Sequence, residues 1–188
     1  MSTTGHPSEL PHGLDLVVEF VNTRDIESGT DALATPSATL AWFAEMGLLD
    51  GSTAQLGDAE HDRALRLREA LRAVALEHNG GPHDPSVGNE LERAARDGEL
   101  SVRFEADEGV RLQARRGGFA GALAAVLLPV ARAAADGSWL RIKACRADGC
   151  AWAFYDRSRN RSGKWCEMAV CGNRTKVRAY RRRVPERL

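Results

Sequence analysis

Apolar positions recur at two different periods along this chain, and the changes of period mark out its elements. Leu14, Val17, Val18 and Val21 fall at helical spacing, with Asp15 and Glu19 opposite them. Leu16, Val18 and Phe20 also alternate, a competing strand pattern, and the helix is the favoured reading up to Asn22-Thr23. A clearer helix opens at Thr35-Pro36, a capping residue followed by proline at the first helical position. It turns Leu40 and Phe43 inward and stops near Gly47. From Asp58 to about Glu77 a long helix follows, with Leu67, Leu71 and Val74 as its seam and Arg63, Arg66, Arg68 and Arg72 as its solvated face. His78-Asn-Gly-Gly-Pro-His-Asp-Pro has the chemistry of a loop. A shorter helix then presents Leu91, Ala94 and Ala95 and ends at Asp97-Gly98.

The period next drops to two. Leu100, Val102 and Phe104 alternate, Asp107-Glu108-Gly109 turns, and Val110, Leu112 and Ala114 alternate again, which predicts a β-hairpin. Gly117 to Ala135 reads as one alanine- and leucine-rich helix, apolar on most faces and therefore central. Ser138 to Lys143 reads as a short strand. These elements predict an α+β fold: a mostly helical N-terminal domain with a hairpin, then a small C-terminal module. The expected division is a lead-in over 1–12, a body over 13–137 and the module over 138–188.

Composition fits one ordinary domain with a small appendage, at 188 residues, 43% hydrophobic and 28% charged. The longest apolar run, Phe119 to Ala131, is too short to cross a membrane, contains Pro129 and stops at Arg132. Met1 to Pro7 lacks the basic and apolar regions of a signal peptide. A cytoplasmic location is expected, where paired cysteines are more often metal ligands than disulfides. The zero net charge conceals a division. Residues 141–188 hold 14 Lys+Arg against 4 Asp+Glu, a net of +10, and residues 1–140 carry the balancing −10. Such segregation marks a polyanion-binding end, or a basic tail that packs on its own acidic body.

The chemistry lies in four cysteines placed as two matched pairs. Cys145 and Cys150 are separated by four residues, as are Cys166 and Cys171, and all five histidines lie at or before His83. Four thiolates complete a tetrahedral shell around one zinc ion and leave no open position for substrate or activated water. The metal is therefore expected to be structural, and no enzyme activity is expected: no nucleophile elbow, phosphate-cradling loop or zincin signature appears. Two disulfides or four free thiols are the rival arrangements, and the spacing does not by itself exclude iron. Gly149 and Gly172 adjoin ligands, as knuckle-like loops require. Trp152, Phe154 and Trp165 are expected to supply a small aromatic core.

After Cys171 nothing breaks a helix before Pro185. Val170, Val177 and Val184 fall on one line that can dock on the finger or body. Arg174, Arg178, Arg181 and Arg182 form an adjoining arc, with Lys176 and Arg183 on the other flank. Phosphate contacts are the expected use of these side chains, supplemented by Arg159 and Arg161 on the loop between the cysteine pairs. Asn173 is expected to cap or bridge the metal loop, and Arg174 to stack on a ring or face sulfur. Asn22, Thr23 and Arg24 form a polar cluster that can line a ligand pocket.

Phe154-Tyr155-Asp156-x-Ser158-x-Asn160, Trp165-Cys166-x-Met168 and Cys171-Gly172-Asn173-Arg174-x-Lys176 closely resemble the CGNR zinc-finger family. Leu16 to Arg24, and Thr35-Pro36 to Leu49 around Trp42, resemble more loosely the companion ABATE domain of bacterial stress-induced transcription regulators. The resemblance implies a zinc-binding, DNA-binding transcription regulator with Cys145, Cys150, Cys166 and Cys171 as ligands. Gly163-Lys164 departs from the family, which tends to arginine there. Double-stranded DNA is thus the expected partner, with a small-molecule effector on the body and a homodimer as further expectations. A zinc-stabilised protein-interaction module, or a small-molecule or redox-responsive sensor, is the alternative.

Overall fold

A computed structural model of the chain describes residues 10–49, 55–106 and 109–183, with side chains as far as Arg181. The expected turn residues Asp107 and Glu108, the side chains of Arg182 and Arg183, and Val184 and Pro185 lie outside the described residues.

The fold is α+β and mostly helical. Helix α1 (Leu14–Asn22) buries Leu14, Val17, Phe20 and Val21, a helical and not a strand spacing. Strands β1 (Arg24–Asp25) and β2 (Thr30–Asp31) form a minimal antiparallel hairpin. Helix α2 (Pro36–Glu45) starts as its sequence dictates, with Thr35 Oγ1 accepting the Ala38 amide at 3.1 Å. Phe43 is fully buried, Leu40 only half-buried, and Thr39 takes the remaining inward position.

Helix α3 (Asp58–His78) departs from expectation on one face. Arg68 and Arg72 are 1% and 3% exposed, whereas Arg63 and Arg66 do reach solvent. The pattern carries the reason. Ala64, Arg68, Leu71, Arg72 and Ala75 follow one another at intervals of three, four and one residues, so the two arginines share the buried stripe. Arg68 forks onto Asp31 at 2.6 and 2.8 Å and also donates to Thr23 Oγ1. Arg72 donates to the Val21 and Arg24 carbonyls, and Glu69 bridges the two guanidinium groups.

Helix α4 (Val87–Asp97) leads into the antiparallel pair β3 (Leu100–Glu105) and β4 (Gly109–Ala114), with Val102 opposite Leu112 and Phe104 opposite Val110. The pair stands off the core at its far end, where Phe104 is 80% exposed. The single central helix expected over 117–135 is two: α5 (Gly118–Val126) and α6 (Leu128–Ala134). Pro129 lacks an N–H and its ring crowds the preceding turn, so the chain restarts a helix there. The expected strand after it is half a strand. Ser138–Arg141 is a 3-10 turn and only β5 (Ile142–Ala144) is extended.

Strand β5 pairs with β6 (Ala153–Tyr155), and this small sheet joins the two parts of the chain. Ile142, Ala144 and Ala153 belong to the same buried cluster as Leu14, Phe20, Leu67, Leu71 and Val126. The C-terminal module therefore draws part of its stability from the body's core.

Candidate metal centre and the helix it starts

The first cysteine pair hangs from the β5–β6 sheet. Cys145 extends the ladder, its amide donating to the Trp152 carbonyl at 2.9 Å, and the Cys150 amide closes a turn on Ala147 at 3.0 Å. Gly149 enables that turn with φ of 77°, in the left-handed region that side chains resist. Of the second pair, Cys166 precedes and Cys171 lies on a wide turn, Met168–Gly172, in which the Gly172 amide reaches back to Glu167 at 3.2 Å. Gly172 is there because of close approach. A Cβ on it would lie 2.4 Å from Met168 Sδ and 3.0 Å from Trp165 Cδ1. Trp165 packs on the sulfur cluster, as an aromatic core requires, but Trp152 is part-exposed and lies outside that cluster.

All four sulfurs lie within 4.8 Å of one another. Three separations are 3.8 Å (Cys150–Cys166), 3.6 Å (Cys166–Cys171) and 3.7 Å (Cys171–Cys150). A tetrahedron with zinc–sulfur bonds of about 2.3 Å has edges of about 3.8 Å, whereas a disulfide needs about 2.05 Å. The cysteines are unbridged, and their spacing is that of ligands around one ion. Electrostatics agree. Burial, reinforced by the Cys145 thiolate, raises the Cys150 thiol to about 11, and burial with neighbouring sulfurs pushes Cys166 up as well. A cation among them removes that repulsion and lets all four ionise. Backbone amides already aim at sulfur: those of Ala147 and Cys166 at Cys145, and that of Trp152 at Cys150.

Helix α7 (Asn173–Arg183) begins immediately after the fourth sulfur. Thr175 Oγ1 donates to the Cys171 carbonyl at 2.9 Å, and Asn173 Nδ2 to the Ala169 carbonyl at 3.0 Å, so Asn173 bridges the metal loop to the helix. Arg174 faces sulfur, with Nη2 3.4 Å from Cys171 Sγ, and forks onto Glu27 of the β1–β2 turn. Arg178 pairs with Asp148 at 3.2 Å, both exposed. Lys176 and Arg181 are exposed and carry no ion pair among the described residues. Arg159 and Arg161 are exposed on the connecting loop. The apolar line expected to dock does not: Val170 and Val177 are 52% and 48% exposed, and Val184 lies outside the described residues.

Asn22, Thr23 and Arg24, expected around a pocket, are instead engaged in internal bonds. The Asn22 carboxamide brackets Ala153, accepting its amide at 2.7 Å and donating to its carbonyl at 2.9 Å. Thr23 links the Phe20 carbonyl to Arg68, and Arg24 lies 3.7 Å from Glu69. Asn22 and Arg72, which donates to the Ala151 carbonyl at 2.9 Å, tie the body to the first cysteine knuckle. Sequence reasoning missed Glu27, Asp148 and Arg72 as neighbours of the site. Only the buried stripe of α3 signalled Arg72; nothing local signalled the other two.

Four thiols within 4.8 Å of one another, at the root of a basic helix, define a zinc-finger module. The CGNR zinc finger family model matches residues 141–184. Residues 14–137 match the model of the ABATE family, described as "Putative stress-induced transcription regulator". The chain belongs to the ABATE family and carries a CGNR zinc finger at its C-terminal end. No curated protein matches it. Among the described residues no helix is long and apolar enough to cross a membrane.

Proposed function

We propose that this chain is a cytoplasmic transcription regulator in which one structural zinc ion orients α7 toward double-stranded DNA. The observation that carries the reading is the covalent link between site and helix. Cys171 is the fourth sulfur and α7 starts two residues later, leaving Lys176, Arg178 and Arg181 exposed. A closed four-sulfur shell has no position for substrate, which favours a binding role over catalysis. The bond from Arg178 to Asp148 joins two exposed groups and is weak enough for phosphate to displace. Arg174 is excluded from the contacting set, because Glu27 and Cys171 take its terminal nitrogens and its Nε is buried.

The test is fluorescence anisotropy with duplex DNA across a salt series, on zinc-loaded full-length protein. The logarithm of affinity should fall linearly with the logarithm of salt concentration. Changing Lys176, Arg178 and Arg181 together to alanine should reduce the slope by about 3, near one per phosphate contact. An unaltered slope removes these residues from the interface. Light scattering on the same complexes decides whether one chain or two binds.

A second reading has its own observation: Val170, Val177 and Tyr180 are exposed beside the basic residues. They suit an amphipathic helix that meets an acidic protein surface. Binding of the full chain to such a surface, with no affinity for duplex DNA at physiological salt, would favour it.

A further inference from the structure

The arginine that touches the sulfur cluster is held by a residue from the far end of the chain. Among the described residues, Arg174 is the one side-chain cation that donates to a sulfur, Cys171 Sγ. The same guanidinium engages Glu27 with both terminal nitrogens, Nη2 reaching Oε2 at 2.9 Å. Glu27 stands 147 residues earlier, in the turn between β1 and β2. That turn is itself shaped, since Asp25 Oδ1 accepts the amides of Glu27 at 2.9 Å and Ser28 at 3.2 Å. Asp31, at its far side, is forked by the buried Arg68.

Four thiolates around a divalent ion carry a net charge of −2, which donors around the sulfurs must spread. Cys145 and Cys150 receive backbone amides, those of Ala147, Cys166 and Trp152, whose positions follow from the fold of the main chain. Cys171 receives a long flexible side chain instead. An arginine is useful there only if its plane is held, and a two-point carboxylate fork fixes that plane.

We propose that Glu27 is a positioning residue for the metal centre: it holds the Arg174 guanidinium on Cys171 Sγ, so that the N-terminal domain governs how tightly the finger keeps its metal. This rests on zinc occupying the four sulfurs. Its consequence is that displacement of the β1–β2 turn, by a ligand or partner of the body, loosens the zinc and with it the root of α7.

The experiment uses zinc-loaded full-length protein and follows zinc transfer to a chromophoric chelator, after metal analysis of the wild type. Glu27→Gln and Arg174→Gln should each release zinc about tenfold faster, within the range for lost outer-shell partners. The double variant should be no faster than Arg174→Gln alone, and Glu27→Asp should recover part of the retention. Arg66→Gln, which removes a distant exposed pair with Glu90, should release zinc at the wild-type rate. The metal-free Glu27→Gln protein should unfold at the metal-free wild-type temperature, whereas a merely structural strut would lower both forms. If Arg174→Gln does not fold, Glu27→Gln and Arg174→Lys carry the comparison. Release from Glu27→Gln within twofold of wild type overturns the proposal alone. Wild-type protein that never holds stoichiometric zinc overturns the zinc reading and this one together.

Discussion

Replacing Lys143 by methionine removes one ammonium group from beneath the basic loop and tests how that loop is held. Lys143 and Asp156 are 4% and 3% exposed, and Lys143 Nζ donates to Asp156 Oδ2 at 2.7 Å. The ammonium also donates to the carbonyls of Arg161 and Gly163, while Asp156 accepts the amides of Ser158 and Gly163, both at 2.9 Å. The pair thus sets the shape of residues 157–163, which carry Arg157, Arg159 and Arg161. Burial opposes the Asp156 charge, but Lys143 and the Ser158 and Gly163 donors outweigh it and hold the carboxyl far below the usual range. Methionine keeps the length of the stem and leaves the carboxylate buried without a counter-charge. Breaking a buried pair in this way costs about 3–5 kcal/mol. For a chain of this length that lowers the unfolding midpoint by roughly 6–20 °C. The assay is thermal unfolding by circular dichroism at pH 7 with zinc in excess. Adding Asp156→Asn to the methionine variant removes the stranded charge, so the double variant should melt above Lys143→Met. A drop of less than about 2 °C in the single variant, or a double variant no better, would refute the reasoning.

Chelation of zinc should release one equivalent of metal and detach α7 from a fixed orientation, read as lost helicity and a lower midpoint; Cys171→Ser should mimic it. Asn22→Ala removes both bonds to Ala153 and should cost about 2 kcal/mol by denaturant unfolding, whereas Arg63→Ala should cost under about 0.5 kcal/mol. The pH dependence should have two acid steps. Burial lowers His78 below its ordinary 6.5, against the Ile142 carbonyl bond that supports its charge, so its contribution is whole above that value and is lost as pH falls. Burial opposes the charge of Asp31 too, but Arg68 and the Leu33 amide hold its pKa below 3.8, and Asp156 is depressed likewise. Their contributions are therefore lost at lower pH still. Stability measured from about pH 2 to about pH 8 should fall in both steps on the acid side, and His78→Phe should flatten the upper step alone.

Local rules were enough for the elements that depend on neighbours in sequence. Thr35-Pro36 starts a helix because the cap and the fixed proline φ act within one turn. The alternation in β3 and β4 yields the observed register for the same reason. The break at Pro129 was equally local, since proline interrupts whatever helix surrounds it. Arg68 and Arg72 go against the average exposure of arginine, because their spacing places them on the buried stripe of α3. A buried cation needs an anion, and Asp31 and Glu69 become partners only when the β1–β2 turn folds over α3.

The sequence alone determined the candidate ligands, because four cysteines in two short pairs leave few arrangements, and it determined that a basic helix follows the last of them. Tertiary structure decided what surrounds them. It brought the four sulfurs within 4.8 Å of one another, set Asn22 and Arg72 against the knuckle, and brought Glu27 to Arg174 across 147 residues. Ligand identity is a property of side-chain type and spacing, which sequence records directly. Partnership between distant charges is a property of packing, because only the closed core brings their elements within bonding distance.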